Sequence, residues 1–172
     1  VEFAHRVKET YGYEIDEIDV GGGLGIAYTA EDKPSSIEDF AEITTSEMIK
    51  ACKKYGLKEP RLICEPGRSL VATPGVTLYT VGILKTLPGI RKALYHAEYE
   101  PVIANKAGQP RTEIVTLCGK HCESGDAVAL DASIQHPDLG DIVCVFGTGA
   151  YCHSMSSNYN GQPRPGIVFV KD

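Results

Sequence analysis

The sequence has no apolar run approaching the ~18 consecutive residues that a membrane-spanning helix needs. Its 17 basic residues are outnumbered by 23 acidic ones, and no basic stripe is present that could neutralise nucleic-acid phosphates. Residues 1–6 lack the basic start and the apolar core of a secretory signal peptide. These absences argue against a membrane protein and against a nucleic-acid partner. The length of 172 residues suits one domain or parts of two.

None of the six cysteines belongs to a C-x-x-C pair. Cys64 and Cys144 lie inside apolar, strand-like runs, where we expect them to be buried as small hydrophobic residues. An even number of cysteines would also permit three disulfides in a secreted protein. A chain of this size with a normal core does not need such cross-links, so we favour reduced thiols and a cytoplasmic location.

Residues 1–74 contain the pattern of a parallel α/β unit. Residues 14–20 alternate between polar and apolar side chains, as a strand does, and end at three glycines. Ser35 and Glu38 have the spacing of a capping box, which predicts a helix with Ser35 as its N-cap. Residues 61–64 then form a short apolar run that predicts a second strand. This order of strand, helix and strand is typical of a parallel sheet.

The character of the chain changes at residue 75. Short strand-like runs follow one another, Gly, Pro and Asp cluster between them, and no convincing long helix intervenes. The runs are residues 76–84, 99–104, 113–118, 127–130, 141–146 and 167–170. We therefore predict that residues 75–172 form an antiparallel β domain, similar to a barrel.

Three glycines, Gly21, Gly22 and Gly23, directly follow the first predicted strand. Glycine lets the backbone turn sharply and point several N–H groups at one anion. The cluster therefore predicts an anion-binding loop. The alternative is an ordinary turn between a strand and a loop.

A second polar segment, Glu65-Pro66-Gly67-Arg68, follows the second predicted strand. The carboxyl ends of the strands are where α/β barrels place their active sites. The guanidinium of Arg68 is a planar fork that suits a phosphate or a carboxylate. The alternative is an ion pair between Glu65 and Arg68 that closes a turn.

A thiol lies among acidic residues in the segment H-C-E-S-G-D at residues 121–126. Negative charge nearby disfavours a thiolate, so Cys122 suits the donation of a proton better than nucleophilic attack. An inert buried thiol is the main alternative. Metal binding by His121, Cys122 and Cys118 lacks a complete set of ligands, so we predict no metal site.

These three segments, followed by G-T-G-A-Y at residues 147–151, resemble the pyridoxal-phosphate-dependent diaminopimelate decarboxylases in motif order. The resemblance runs from about residue 15 to the C-terminus. It implies an α/β plus β fold, in which residues 1–74 are the last part of a (β/α)8 barrel and residues 75–172 are the β domain. It also implies pyridoxal phosphate as the cofactor. The implied reaction converts meso-2,6-diaminopimelate to L-lysine and CO₂, the last step of lysine biosynthesis.

The resemblance implies roles for individual residues. Residues implied to bind the cofactor are Gly21, Gly22, Gly23, Glu65, Pro66, Gly67, Arg68 and Tyr151. Residues implied to bind the substrate are Arg68, Tyr95, Glu123 and Tyr151. Glu65 would hold a proton on the ring nitrogen of the cofactor, and Cys122 would be the catalytic proton donor. Ser124 and Asp126 would support the loop.

The family forms homodimers with shared active sites, so the resemblance implies that the Cys122 loop reaches the cofactor of a partner subunit. The lysine with which the family binds its cofactor covalently has no counterpart here. Two α/β units also cannot close a barrel. We therefore expect the N-terminal half of the barrel to be absent from this sequence. A further strand is expected to be missing near residues 92–93, where two segments that the family separates adjoin.

Glu123 is the residue that discriminates between substrates. Relatives that decarboxylate ornithine, arginine or carboxynorspermidine share the fold but carry other residues after the cysteine. Decarboxylation of one of these basic amino acids remains an alternative. A non-catalytic regulatory homologue is the alternative from another functional class, although the combination of Glu65, Arg68, Cys122 and Tyr151 argues against it.

Overall fold

A computed structural model of the chain describes residues 1–85, 98–121 and 125–171. The chain divides into two compact units. Unit 1 comprises Val1–Gly25 and Lys33–Leu70, and unit 2 comprises Ile26–Asp32 and Val71–Asp172. Among the described residues, no helix is both long enough and apolar enough to cross a membrane.

Two helices, α1 (Glu2–Tyr11) and α2 (Ile37–Tyr55), belong to unit 1. Each helix ends at a glycine in the left-handed conformation, which terminates a helix without steric cost. The N-cap of α2 is Ser36, whose Oγ accepts a hydrogen bond of 2.9 Å from the N–H of Asp39. The prediction of Ser35 as N-cap was wrong by one residue, because the acidic residue at the third helical position is Asp39.

The two strands of unit 1, β1 (Glu17–Asp19) and β2 (Arg61–Ile63), pair in parallel, as the strand–helix–strand pattern predicted. The N–H of Val20 donates to the carbonyl of Ile63 at 3.0 Å, which extends the pair beyond β1. Cys64 lies just after β2 and is exposed, so the expectation that it is buried was wrong. Because the strands are parallel, the segments that follow them lie at the same edge of the sheet.

In the described part of unit 2, five strands form antiparallel pairs, as predicted. They are β3 (Val76–Thr80), β4 (Val102–Ile103), β5 (Glu113–Cys118), β6 (Ala127–Ile134) and β7 (Ile142–Phe146). Strand β7 lies between β3 and β4, whereas β5 and β6 form a separate hairpin.

The strand predicted at residues 167–170 is wrong. These four apolar residues are 56%, 84%, 94% and 88% exposed, and they pair with no other strand in the part of the chain that the structure describes. An apolar sequence favours a strand, but a strand forms only where a partner satisfies its backbone groups. The strand expected to be missing near residues 92–93 falls within residues 86–97 and so lies outside the described residues.

The core of unit 2 holds the hairpin against the segment of β4. Ile103, Ala129, Ala132 and Ile134 are buried and pack together. The buried Gln135 accepts a hydrogen bond of 3.0 Å from the N–H of Ile103, which satisfies a polar group inside this core. Because β5 and β6 lead into and out of residues 119–126, this packing anchors both ends of that loop.

An ion-pair network joins the chain after β4 to the start of β7. The Nζ atom of Lys106 lies 2.6 Å from a carboxylate oxygen of both Asp138 and Asp141. The side chain of Asn105 also donates to Asp141, at 2.7 Å. The hydrogen bond from Lys106, followed by that from Asn105, lowers the pKa of Asp141 from 3.8 to about 2. The folded state therefore stabilises the charged form of Asp141.

Candidate active site

The glycine cluster and the Glu65–Arg68 segment lie side by side at the carboxyl ends of β1 and β2. The N–H of Glu65 donates to the carbonyl of Gly21 at 2.8 Å, which continues the pairing of the two strands into the two loops. A Cβ atom on Gly22 would collide with the carbonyl oxygen of Glu65. Only glycine permits this close approach of the two backbones. The structure thus brings together two of the segments that the sequence singled out.

The glycines of the cluster have different hydrogen-bonding roles. Gly21 and Gly23 have φ angles of 71° and 100°, which glycine adopts far more readily than other residues. The N–H of Gly21 donates to Oδ1 of Asp19 at 2.7 Å. Within the described residues, the N–H groups of Gly22 and Gly23 have no hydrogen-bond partner. These two groups are therefore available to an anion, whereas that of Gly21 is already engaged.

The second segment contains a carboxylate and a guanidinium, and both Glu65 and Arg68 are exposed. Glu65 makes no ion pair with Arg68 or with any other described residue, so the structure does not support the alternative of an ion pair that closes a turn. Arg68 is the first residue of a short helix, α3 (Arg68–Val71). Pro66 and Gly67 form the intervening turn, in which the N–H of Leu70 donates to the carbonyl of Gly67 at 3.1 Å.

In unit 2, the segment of residues 147–151 packs closely against the chain before β3. The N–H of Gly149 donates to the carbonyl of Ala72 at 3.0 Å, and that of Thr148 donates to Gly75 at 3.0 Å. A Cβ atom on Gly75 would collide with the backbone of Gly149. Sequence reasoning missed Gly75, although a glycine directly after Pro74 was a signal of a constrained backbone.

Tyr151 begins a turn at the end of this segment. Its φ angle is 66°, which is unusual for a residue other than glycine, and its carbonyl accepts a hydrogen bond of 2.8 Å from the N–H of Met155. The side chain is 50% exposed. The backbone contacts of residues 148 and 149 therefore hold a segment that presents Tyr151 at the surface of unit 2.

Asp126 closes the base of the loop that contains the cysteine. Its Oδ2 accepts a hydrogen bond of 2.7 Å from the N–H of His121, and its carbonyl accepts one of 2.8 Å from the N–H of Gly119. A Cβ atom on Gly119 would collide with the Asp126 carboxylate. Cys122, Glu123 and Ser124 lie outside the described residues. The structure therefore shows what holds the two ends of this loop.

His121, which directly precedes the cysteine, contacts an aromatic residue that follows the Tyr151 segment in unit 2. Burial raises the pKa of the Tyr79 hydroxyl, and negative charge at Cys152 and then at Asp126 raises it further. The ring of His121 contacts that of Tyr159, with a distance of 6.0 Å between the ring centroids. Sequence reasoning missed Tyr79, and it assigned Tyr95, which lies outside the described residues.

Two family models match the chain in sequence order. Residues 1–72 match the pyridoxal binding domain of the pyridoxal-dependent decarboxylases. Residues 85–149 match the C-terminal sheet domain of the pyridoxal-dependent decarboxylases. The order of the two matches agrees with the predicted order of an α/β part and a β part.

The chain is similar to named diaminopimelate decarboxylases over nearly its whole length. It is 43% identical to that of Synechocystis sp., an alignment that covers 94% of this chain and 37% of the relative. It is 38% identical to that of Bacillus subtilis, covering 96% of this chain and 41% of the relative. The solved structure of the enzyme from M. jannaschii in complex with L-lysine has a TM-score of 0.74 and 34% identity, covering 95% of this chain and 40% of that one. The chain spans about two fifths of the length of these curated relatives.

The residues of unit 1 fit pyridoxal phosphate, the cofactor that the family matches indicate. The cofactor has a phosphate group and a ring nitrogen that a carboxylate can keep protonated. The unpartnered N–H groups of Gly22 and Gly23 can bind a phosphate, and no side chain at residue 22 could occupy the space beside Glu65. The carboxylate of Glu65 is exposed and makes no ion pair within the described part of the chain.

The structural similarity confirms the predicted fold class, the end of a pyridoxal-phosphate-binding barrel followed by an antiparallel β domain. The two halves of the chain match the two domains of one family, and the loops at the ends of β1 and β2 fit its cofactor. The chain therefore belongs to the family of pyridoxal-dependent decarboxylases.

Proposed function

We propose that the full-length protein uses pyridoxal phosphate to convert meso-2,6-diaminopimelate to L-lysine and CO₂. The observation that carries this proposal is the contact between the glycine cluster and the Glu65–Arg68 segment at adjacent strand ends. This contact supports the proposal because it brings the backbone of the glycine cluster against that of Glu65, in the segment that also contains Arg68. The similarity to named diaminopimelate decarboxylases supports the choice of substrate.

Unit 1 supplies most of the proposed cofactor contacts. Gly22 and Gly23 donate their N–H groups to the phosphate, and Gly21 sets the turn from which they point. Glu65 keeps a proton on the ring nitrogen, while Pro66 and Gly67 shape the turn that holds Glu65 beside the cluster. The similarity to the family supports the hydroxyl of Tyr151 as a further donor to the phosphate.

The proposed chemistry begins with substrate binding. Arg68 binds a carboxylate of the substrate through its planar guanidinium, or shares the phosphate of the cofactor. Glu123 binds the ammonium group at the far end of the substrate, and Tyr95 and Tyr151 line the site. Pyridoxal phosphate supplies an electron sink that accepts the electron pair of the breaking bond between Cα and the carboxylate.

Cys122 then donates its thiol proton to Cα after CO₂ has left, which completes L-lysine. A proton donor must carry its proton before the reaction. Glu123 and Asp126 are neighbours of Cys122 in sequence, and their negative charges favour the neutral thiol over the thiolate. Asp126 accepts hydrogen bonds from Gly119 and His121, the described residues that precede this segment.

The proposed assembly is a cytoplasmic homodimer with shared active sites, in which the Cys122 loop serves the cofactor of the partner subunit. The lysine that binds the cofactor covalently would come from a part of the protein outside this sequence. Mixing the Cys122→Ala variant with a variant that lacks this lysine should restore activity in about a quarter of the sites, since only mixed dimers contain one intact site. An absence of rescue on mixing would show that each subunit serves its own cofactor.

The activity test uses the full-length Cys122→Ala variant. We expect it to bind cofactor normally and to turn over at least ~10²-fold more slowly, the usual contribution of a general acid. Cys118→Ala is a suitable control, because Cys118 is an exposed thiol at the end of β5. Near-normal turnover by Cys122→Ala would refute its role as the proton donor.

The substrate test uses Glu123→Gln, which should damage diaminopimelate turnover and leave the absorbance of the bound cofactor unchanged. Loss of that absorbance would instead place Glu123 at the cofactor. Ornithine, arginine and carboxynorspermidine should be offered in parallel, because better turnover of one of them would replace diaminopimelate as the substrate. Failure of the wild-type protein to decarboxylate any of these amino acids would favour a non-catalytic homologue.

A further inference from the structure

We propose that Asp19 is a positioning residue that fixes the phosphate-binding turn of the glycine cluster. This inference rests on the proposed function, in which Gly22 and Gly23 bind the phosphate of the cofactor. Asp19 is the last residue of β1, and its Oδ1 accepts the hydrogen bond of 2.7 Å from the N–H of Gly21. A carboxylate acceptor makes such a bond stronger than a neutral one.

Gly21 is held at both of its backbone polar groups. Its N–H is bound by Asp19, and its carbonyl accepts the hydrogen bond of 2.8 Å from the N–H of Glu65. Its φ angle of 71° is one of two low-energy choices for a glycine, so the residue itself does not select it. The bond to Asp19 fixes the peptide plane before Gly21, and the bond from Glu65 fixes the plane after it, so the two bonds together select this conformation.

The conformation of Gly21 determines the direction in which the N–H groups of Gly22 and Gly23 point. Gly22 packs against the carbonyl of Glu65, and the N–H groups of Gly22 and Gly23 have no partner within the described residues. Without Asp19, Gly21 could turn its N–H toward the same anion or rotate to another conformation. Either change would alter the set of donors that the phosphate meets. Asp19 thus acts through Gly21 and needs no contact with the cofactor.

The test compares pyridoxal phosphate with pyridoxal, which lacks the phosphate, as ligands of the full-length apoprotein. We expect Asp19→Ala to weaken the binding of pyridoxal phosphate by roughly tenfold, the scale of one lost hydrogen bond. The affinity for pyridoxal should change by less than about threefold, since only the phosphate contacts depend on this turn. Asp19→Asn keeps an oxygen acceptor and should restore most of the affinity for pyridoxal phosphate.

Asp16→Ala is the matched control, because Asp16 is also exposed and precedes β1, and its side chain accepts no hydrogen bond from a described residue. It should leave both affinities unchanged. The inference is refuted if Asp19→Ala binds pyridoxal phosphate as tightly as the wild type does. It is also refuted if Asp19→Ala loses affinity for both ligands equally, since that result marks a general structural role.

A different result of the same experiment would contradict the proposed function. If the wild-type protein binds pyridoxal as tightly as pyridoxal phosphate, the glycine cluster does not bind the phosphate. That result overturns the assignment of the cluster and the role of Asp19 together. If the wild type prefers pyridoxal phosphate and only the role of Asp19 fails, the assignment of the cluster stands.

Discussion

The substitution Gly22→Ala tests the contact on which the proposed site depends. The new Cβ atom would overlap the carbonyl oxygen of Glu65, which is backbone and cannot rotate away as a side chain could. Two hydrogen bonds hold the two backbone segments close together, from the N–H of Glu65 to Gly21 and from the N–H of Val20 to Ile63. The added methyl group must therefore either strain the pair of strands or displace the glycine loop.

The quantity that changes depends on which of these two outcomes occurs. If the strain is retained, the free energy of unfolding should fall by about 1–3 kcal/mol, the usual cost of an overpacked site. If the loop moves instead, the N–H groups of Gly22 and Gly23 no longer converge. The affinity for pyridoxal phosphate should then fall by roughly tenfold or more, the equivalent of about 1.4 kcal/mol. At least one of the two changes must be observed.

The assays are urea unfolding and titration with pyridoxal phosphate, both on the full-length protein. Gly25→Ala is the matched control, because Gly25 lies in the same loop. Among the described residues, its new Cβ would meet only Pro34, at an ordinary distance of 3.9 Å. We expect the control to remain within about 0.5 kcal/mol of the wild type. If Gly22→Ala matches Gly25→Ala in both assays, the close approach to Glu65 does not constrain the site and the reasoning fails.

Three further predictions concern the rest of the chain. Arg68→Lys should weaken binding of the cofactor or the substrate by more than about tenfold, because an ammonium group cannot replace the planar guanidinium. Unchanged steady-state kinetics would exclude a contact of Arg68 with either molecule. Asp126→Ala should slow turnover while cofactor absorbance stays normal, because the N–H of His121 loses its acceptor. Asp126→Asn keeps an acceptor oxygen and should recover part of the rate. Equal rates for the two variants would contradict a role through this hydrogen bond. Asp141 has a lower pKa in the folded state, about 2, than its ordinary 3.8, so its contribution to stability is present above about pH 4 and is lost as the pH falls toward 2. Asp141→Asn should flatten the fall in the urea midpoint between about pH 5 and pH 2, and an unchanged slope would show that the ion-pair network does not stabilise the fold.

Local features of the fold were predictable because they depend on residues close in sequence. The parallel order of β1, α2 and β2 follows from alternating apolar residues, a capping serine and a short apolar run, and the structure confirms it. The error at the N-cap of α2 was also local in origin. Ser35 and Ser36 are equivalent as capping residues by sequence alone, and only the hydrogen bond from Asp39 decides between them.

The sequence by itself determined which residues we propose to carry the chemistry, since glycines after a strand, an arginine after a proline turn and a thiol among acids are local patterns. The tertiary structure decided which of them meet. Gly22 packs on Glu65 only because β1 and β2 pair in parallel with one register. Gly75 meets Gly149 only because β3 and β7 pair antiparallel and bring distant segments together. Residues 167–170 have the sequence of a strand but no strand partner among the described residues. Pairing depends on the position of a second segment far along the chain, which no local pattern encodes.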